Sequence, residues 1–315
     1  GVSPLVADRI EREIQRRILT PCCEREDFWW LGFDPRRPDV NNWNPWINSN
    51  WLTCTLAIEQ DAGRRCAAVL KSMRSIDRFI DNYPADGGCD EGPGYWGHAG
   101  ASLFDCLELL HAATGGAVDV YTDPLIRDIG RYIYRAQISG HYFVDFADAS
   151  ALVSPPTGVV YGYGCRIGDA DLQRLGGWLA QTPREGLQEK TVNMGRHLAE
   201  LFTFADVAHG EAKEPLPRDV WLPDTQVMVA RDEAGTAAGF TLAAKGGHNA
   251  ESHNHNDVGS FLVYRDGRPL IVDAGVGEYT AQTFSSRRYG LWTMQSAYHS
   301  LLSTVHGAQQ APAFL

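Results

Sequence analysis

The hydrophobic pattern changes its period part-way along the chain, and this change limits the fold to two parts of different class. In the first stretch Leu5, Ile10, Ile14 and Ile18 recur among charges at helical spacing, and comparable patterns cover 47–60, 64–82, 99–114, 124–138, 169–181 and 191–204. A charged, proline-bearing segment, Glu211–Arg218, then interrupts the chain. Beyond it the runs Trp221–Pro223, Gln226–Arg231 and Gly239–Ala244 alternate or stay apolar as strands do, parted by the turn residues Asp232–Gly235. With the boundary near Lys213, the sequence predicts an α+β multidomain fold: a helical domain over 1–212 and an antiparallel β domain over 213–315.

The β part carries a dense polar run, His253-Asn254-His255-Asn256-Asp257. Two imidazoles at i and i+2 on an extended segment point to one side. Downstream, Gly259–Arg265, the Asp266-Gly267 turn and Arg268–Asp273 read as a hairpin that returns Asp273 towards His255; His299 follows. Zinc takes imidazole and carboxylate ligands in a tetrahedral set, so His255, Asp273 and His299 are the predicted ligands of one structural Zn2+. His253 is then left over, and a free imidazole beside such a site is a natural proton acceptor or donor. The alternative is a hydrogen-bonded histidine pair on a strand edge.

Bulk properties exclude several classes. With 315 residues, 44% apolar and 21% charged, the chain is long enough for two real cores. A net charge of −11 argues against a nucleic-acid or anionic-membrane binder, which needs extended basic faces. The seven cysteines show no CxxC spacing, and their odd number leaves at least one thiol unpaired. No apolar run reaches the length of a membrane span, and Gly1–Pro4 lacks a charged-then-apolar leader. Aromatic residues crowd the breaks between helices: Trp29, Trp30, Trp43, Trp46, Tyr95, Trp96, Tyr142, Tyr161 and Tyr163. Rings in such places either stack on sugars or seal helix ends.

Together, the stretch from His253 to Asp273 with the late His299, the run Asn41–Trp46 and the run Asp86–Trp96 with its Glu91-Gly92-Pro93-Gly94-Tyr95-Trp96 resemble the heparinase II/III-like polysaccharide lyases over most of the chain. The resemblance implies an α/α toroid, incomplete or complete, followed by a β-sandwich. It also implies β-elimination on a polysaccharide containing uronic acid, glycosaminoglycan- or alginate-like. By resemblance His98 binds or polarises the uronate carboxylate, and Tyr142, before Phe146-Ala147-Asp148, is the catalytic tyrosine with Tyr161 and Tyr163 in reserve. Tyr95, Trp96, Asn42, Asn44 and Glu91 fall in the matching segments as substrate-binding candidates. Asn42 and Asn44 are equally ordinary turn residues, and Glu91 either orders the His98 loop or caps a helix. Arg288 could meet a substrate carboxylate bidentately, or be a solvated surface arginine.

Family members carry more β sequence after the late histidine, so the chain is expected to be a partial member. The resemblance places it in the periplasm or outside the cell, with an anionic polysaccharide as partner. Two other readings remain. His-x-His-x-Asp also opens the motif of metallo-β-lactamase-like zinc hydrolases, although these need a further histidine where Val258 stands. The last is a non-catalytic glycan-binding protein on a lyase scaffold.

Overall fold

The computed structural model describes residues 3–182 and 194–301. Its contacts divide the chain into two compact units, residues 1–83 with 98–120 and residues 84–97 with 121–315.

The first unit is helical. Helix α1 (Pro4–Ile14) runs through a π-helical stretch, Gln15–Leu19, into α2 (Thr20–Glu24); α3 (Trp43–Ile58), α4 (Ala62–Asp81) and α5 (Gly100–Ala113) follow. Its core gathers Leu19, Cys22, Trp30, Leu31, Trp51 and Ala68. Helix α3 starts before the predicted stretch because Pro45 lies in its first turn, where a proline removes no helical hydrogen bond. A buried polar ladder fixes α3 to α4. Asn44 Nδ2 donates to Trp30 O at 2.8 Å and Ser75 O at 2.9 Å; Asn48 Nδ2 donates to Ser75 Oγ at 3.0 Å, and Ser72 Oγ donates to Asn48 Oδ1 at 2.9 Å. Buried amides must find such partners, so these residues specify one helix register.

The second unit holds α6 (Pro124–Arg135), a ribbon of β1 (Gln137–Ser139) and β2 (Tyr142–Phe143), then α7 (Thr157–Ile167), α8 (Ala170–Gln181) and α9 (Met194–His209). A five-stranded antiparallel meander follows, in the order β3 (Asp219–Leu222), β4 (Val227–Arg231), β5 (Phe240–Lys245), β6 (Phe261–Arg265), β7 (Arg268–Ile271). Helix α7 was not expected, since its Gly- and Tyr-rich sequence reads as a loop. Close packing explains it: a Cβ on Gly176 of α8 would lie 2.7 Å from Tyr161 Cβ, and one on Gly164 of α7 would lie 2.7 Å from Gln173 N, so small residues let α7 and α8 approach. Tyr142 likewise lies on a strand and not at a helix end. The predicted stretch 191–204 corresponds to α9, its first three positions lying outside the described residues.

The predicted Asp266-Gly267 hairpin is present, with Arg265 paired to Arg268 and both turn residues at positive φ (50° and 73°), as a two-residue turn of this twist requires. Leu262, Tyr264, Ala243 and Val229 face the buried side, whereas β7, with Pro269, is an exposed edge. Among the described residues the β region forms this one large sheet. All seven cysteines are free thiols, and no helix among the described residues is long and apolar enough to cross a membrane.

Buried Arg231 ties the sheet to the β1–β2 ribbon: Nη1 donates to Ile138 O at 2.8 Å and Thr241 Oγ1 at 3.2 Å, Nε to Pro217 O at 3.0 Å, and Nη2 to Gln137 O. Burial lowers its pKa to about 10, against the opposing charge of Glu214. Arg231→Met leaves several buried carbonyls without donors, and should cost about 3 kcal/mol in urea unfolding. A loss below about 0.5 kcal/mol would mean that water satisfies those carbonyls equally well.

Candidate active site

Four segments of the second unit bring their charged side chains to one place. The Glu91–Gly94 turn packs on Phe146–Ala149: Gly92 has φ 89°, and a Cβ there would lie 2.6 Å from Ala149 Cβ and 3.0 Å from Phe146 O. Only glycine fits this turn. Asp148, fully buried on the facing segment, accepts hydrogen bonds from His253 Nδ1 at 2.8 Å, His255 Nε2 at 3.0 Å and Arg288 Nη2 at 2.8 Å. Glu91 Oε1 lies 3.4 Å from His253 Nδ1. Ala147 and His253, adjoining or within this cluster, have φ of 57° and 54°, a left-handed conformation costing about 1 kcal/mol or more for residues with a Cβ.

The histidines stand on the loop between β5 and β6, closed at its neck by Lys245 N to Ser260 O at 2.9 Å and Gly259 N to Lys245 O at 2.8 Å. Across the loop, Lys245 Nζ pairs with Asp257 at 2.9 Å and Glu251 at 3.0 Å. Burial lowers the lysine's pKa, but the two carboxylates outweigh it and leave the pKa raised.

The electrostatics of the cluster are mutual. Burial pushes the Asp148 carboxyl up, yet the hydrogen bonds from His253 and His255 and the charge of Arg288 hold it well below the usual carboxylate range. For His253 burial favours the neutral ring, and Asp148 with Glu91 overcomes it and raises the pKa. With Asp148 accepting from Nδ1–H, the lone pair of the neutral His253 ring sits on Nε2. Two phenols lie near this carboxylate: Tyr279 and Tyr95 both sense the Asp148 charge, and their rings stack with centroids 6.5 Å apart. Burial, Tyr95 and Asp148 all hold the Tyr279 hydroxyl protonated.

A second group lies behind the first. Asp273 accepts from His299 Nδ1 at 2.8 Å, Ser260 Oγ at 2.8 Å and Gly275 N at 3.0 Å. The His255 and His299 rings are 5.6 Å apart, and among the described residues the buried His299 Nε2 has no hydrogen-bond partner. Nearby Asp145 is pushed up to about 7 by burial and the Asp273 charge. The predicted ligands thus form an Asp273–His299 pair with His255 beside it, its Nε2 turned to Asp148. Among the described residues, Glu91, Asp148 and His253 are a group whose ligand atoms lie within 4.8 Å of one another and could hold a metal.

Other predicted residues have different places. Trp96 is fully buried and donates Nε1 to Ile129 O at 2.8 Å. Asn44 is inside the α3–α4 ladder, and Asn42 is the buried N-cap of α3. Tyr142 has its ring 5.5 Å from that of Tyr264. Of the reserves, Tyr163 is fully buried with its hydroxyl donated to Ile126 O at 2.8 Å, and Tyr161 lies in α7. His98, in the first unit, meets the Trp46 ring edge-on at 4.5 Å. Arg288 is largely withdrawn from solvent, with 13% of its side chain exposed. Besides Asp148 its nitrogens donate to Asn254 O at 3.1 Å, His253 O at 3.2 Å and Thr283 O at 3.2 Å. Sequence reasoning missed Tyr279, which no motif marks, and passed over Asp148 except as part of Phe-Ala-Asp.

Residues 214–311 match the family profile of the heparinase II/III-like C-terminal domain. The structure is similar to that of heparinase III, with 15% identity, a TM-score of 0.60, and coverage of 82% of this chain and 38% of that one. It is also similar to heparan sulfate lyase HepC from Pedobacter heparinus, in a mutant form (14%, TM-score 0.58, 94% of this chain and 40% of that) and in a second structure (14%, TM-score 0.54, 93% and 39%). No curated protein sequence matches. The chain is therefore helical plus antiparallel β, similar in fold to heparinase III, and its residues 214–311 are similar to the heparinase II/III-like C-terminal domain. It spans about 40% of the length of the solved structures it matches.

Arg288→Gln removes the cation that grips Asp148 and two carbonyls of the His253 loop, and should lower the unfolding free energy by about 3 kcal/mol. If Arg288 instead served mainly as a substrate contact, stability would stay within about 0.5 kcal/mol of wild type while KM alone rose.

Proposed function

We propose that this chain is a polysaccharide lyase cleaving a uronic-acid-containing chain by β-elimination. The observation that carries the proposal is the Asp148–His253 pair: a buried carboxylate orients Nδ1–H and leaves Nε2 as a base of raised basicity. Elimination requires neutralisation of the uronate carboxylate, removal of the C5 proton and protonation of the departing O4. His253 takes the C5 proton, His98 neutralises the carboxylate as the family resemblance implies, and a tyrosine protonates O4. The resemblance gives that tyrosine as Tyr142. The nearness of Tyr279 to Asp148 favours Tyr279 as a second reading, since its phenol is held in the donor form. The sequence-level domains 1–212 and 213–315 are kept as the functional division, and a periplasmic or secreted setting suits such a substrate.

Zinc is proposed as a structural ion of His255, Asp273 and His299. The donor types fit zinc, but His255 Nε2 faces Asp148 and Asp273 is held by His299 Nδ1, so these three side chains would have to turn to share one ion; as they stand, Glu91, Asp148 and His253 are the group whose ligand atoms lie close together among the described residues. The ion would hold the β5–β6 loop against the segment ending in His299. After zinc loading and dialysis, about one equivalent per chain is expected, lost in His299→Ala and Asp273→Asn and kept in Glu91→Gln. Loss in Glu91→Gln alone would move the ion to Glu91, Asp148 and His253.

Incubation with heparan sulfate, chondroitin, hyaluronan and alginate should yield, on one of them, an ultraviolet-absorbing unsaturated uronate. Hydrolysis yields none, which would favour the zinc-hydrolase reading. Asp148→Asn and His253→Ala should each lower turnover by about two to four orders of magnitude, with zinc retained. Tyr142→Phe and Tyr279→Phe decide the acid: the one that loses at least about two orders identifies it. If neither loses activity, tyrosine acid catalysis is wrong.

A further inference from the structure

In the first unit four rings follow one another from buried to exposed. Trp46 meets His98 edge-on with centroids 4.5 Å apart, Trp43 lies 5.5 Å from Trp46 at 59°, and Trp29 lies 6.2 Å from Trp43 at 56°. Trp43 and Trp29 are 48% and 43% exposed. Their sequence neighbours do the packing: Trp30 stacks on Phe28 and meets the buried Trp51 edge-on. Helix α3 divides in the same way, with Asn44, Asn48, Trp51 and Leu52 inward and the i, i+3 pair Trp43 and Trp46 on another face. The core therefore does not account for Trp29 and Trp43, and half-exposed indoles in contact are an unusual apolar surface to leave in water.

We propose that Trp29, Trp43 and Trp46 form a stacking path for consecutive sugar rings of a polysaccharide, leading away from His98. The proposal rests on the lyase reading for its ligand class and deepens it by adding subsites. Indole faces are apolar with a single polar edge, matching the C–H faces and rim hydroxyls of a pyranose. Successive rings tilted by nearly 60° suit a chain whose sugars turn from one residue to the next, and a flat hydrophobic partner would not require that tilt. The path ends in ring contact with His98, the residue assigned to the uronate carboxylate. It thus binds sugars by their faces, independently of sulfation or charge.

The test uses the whole chain with Trp29→Ala, Trp43→Ala and Trp43→Phe, none of which is in the proposed catalytic set. Binding is read from tryptophan fluorescence with heparan sulfate, hyaluronan and alginate, each as long chains and as disaccharides, after thermal melts show that the variants are folded. Long chains should perturb the emission of wild type. Trp43→Ala and Trp29→Ala should bind them about tenfold more weakly, the size of one aromatic stacking contact, with Trp43→Phe in between and disaccharides unaffected. On a cleaved polymer KM should rise for long chains with kcat unchanged. Equal affinity of wild type and both alanine variants for long chains, or no binding of any of the three polymers, overturns the stacking path. Binding that depends on Trp43 without any unsaturated product would sink the lyase reading and leave the path standing.

Discussion

The buried carboxylate of Asp148 is the constraint on which the candidate site depends. An unpaired carboxylate in that position would be prohibitively desolvated, so the fold surrounds it with donors from separate segments: His253 and His255 from the β5–β6 loop and Arg288 from a turn more than thirty residues later. Each donor is thereby oriented. Arg288 also grips the His253 and Asn254 carbonyls, so one ion pair fixes both the charge and the backbone that carries the imidazole. The left-handed residues Ala147 and His253 fit the same account, because strained conformations persist only where surrounding bonds over-determine them.

His255 links this cluster to the Asp273–His299 pair, so base and zinc candidates are built as neighbours. Charge balance follows. Glu91 and Asp148 face Arg288 and a histidine of raised pKa, while Asp257 and Glu251 face Lys245. In a chain of net charge −11 these pairs leave the cluster locally neutralised. For the anionic polymer proposed as substrate, long-range attraction would not help, and uncharged contacts with sugar rings become the more useful source of affinity.

What was legible in the sequence was what has a period or a fixed spacing. The switch from helix to strand, the Asp266-Gly267 turn and the grouping of His253, Asp273 and His299 in one region all followed from such patterns. Helix α7 did not, because its Gly164 shows its purpose only beside α8. Trp96 and Asn44 look like binding residues in sequence, since exposed and buried aromatic or amide side chains are written alike; burial assigns both to the framework. Tyr279 lies among Gly, Glu and Thr with no periodicity, and only the fold brings it to Asp148.

The sheet does more for this site than support it. His253 and His255 sit on a loop whose two ends are consecutive antiparallel strands, with Ala244 opposite Phe261 in the ladder and the neck closed beyond that pair. A slip of one residue between β5 and β6 would turn Lys245 to the other face and separate it from Asp257 and Glu251. The loop would lose its internal ion pairs, and Asp148 its two imidazoles. The alternation that buries Ala243, Leu262 and Tyr264 therefore sets the loop's register, and the chemistry inherits its precision from apolar packing several residues away.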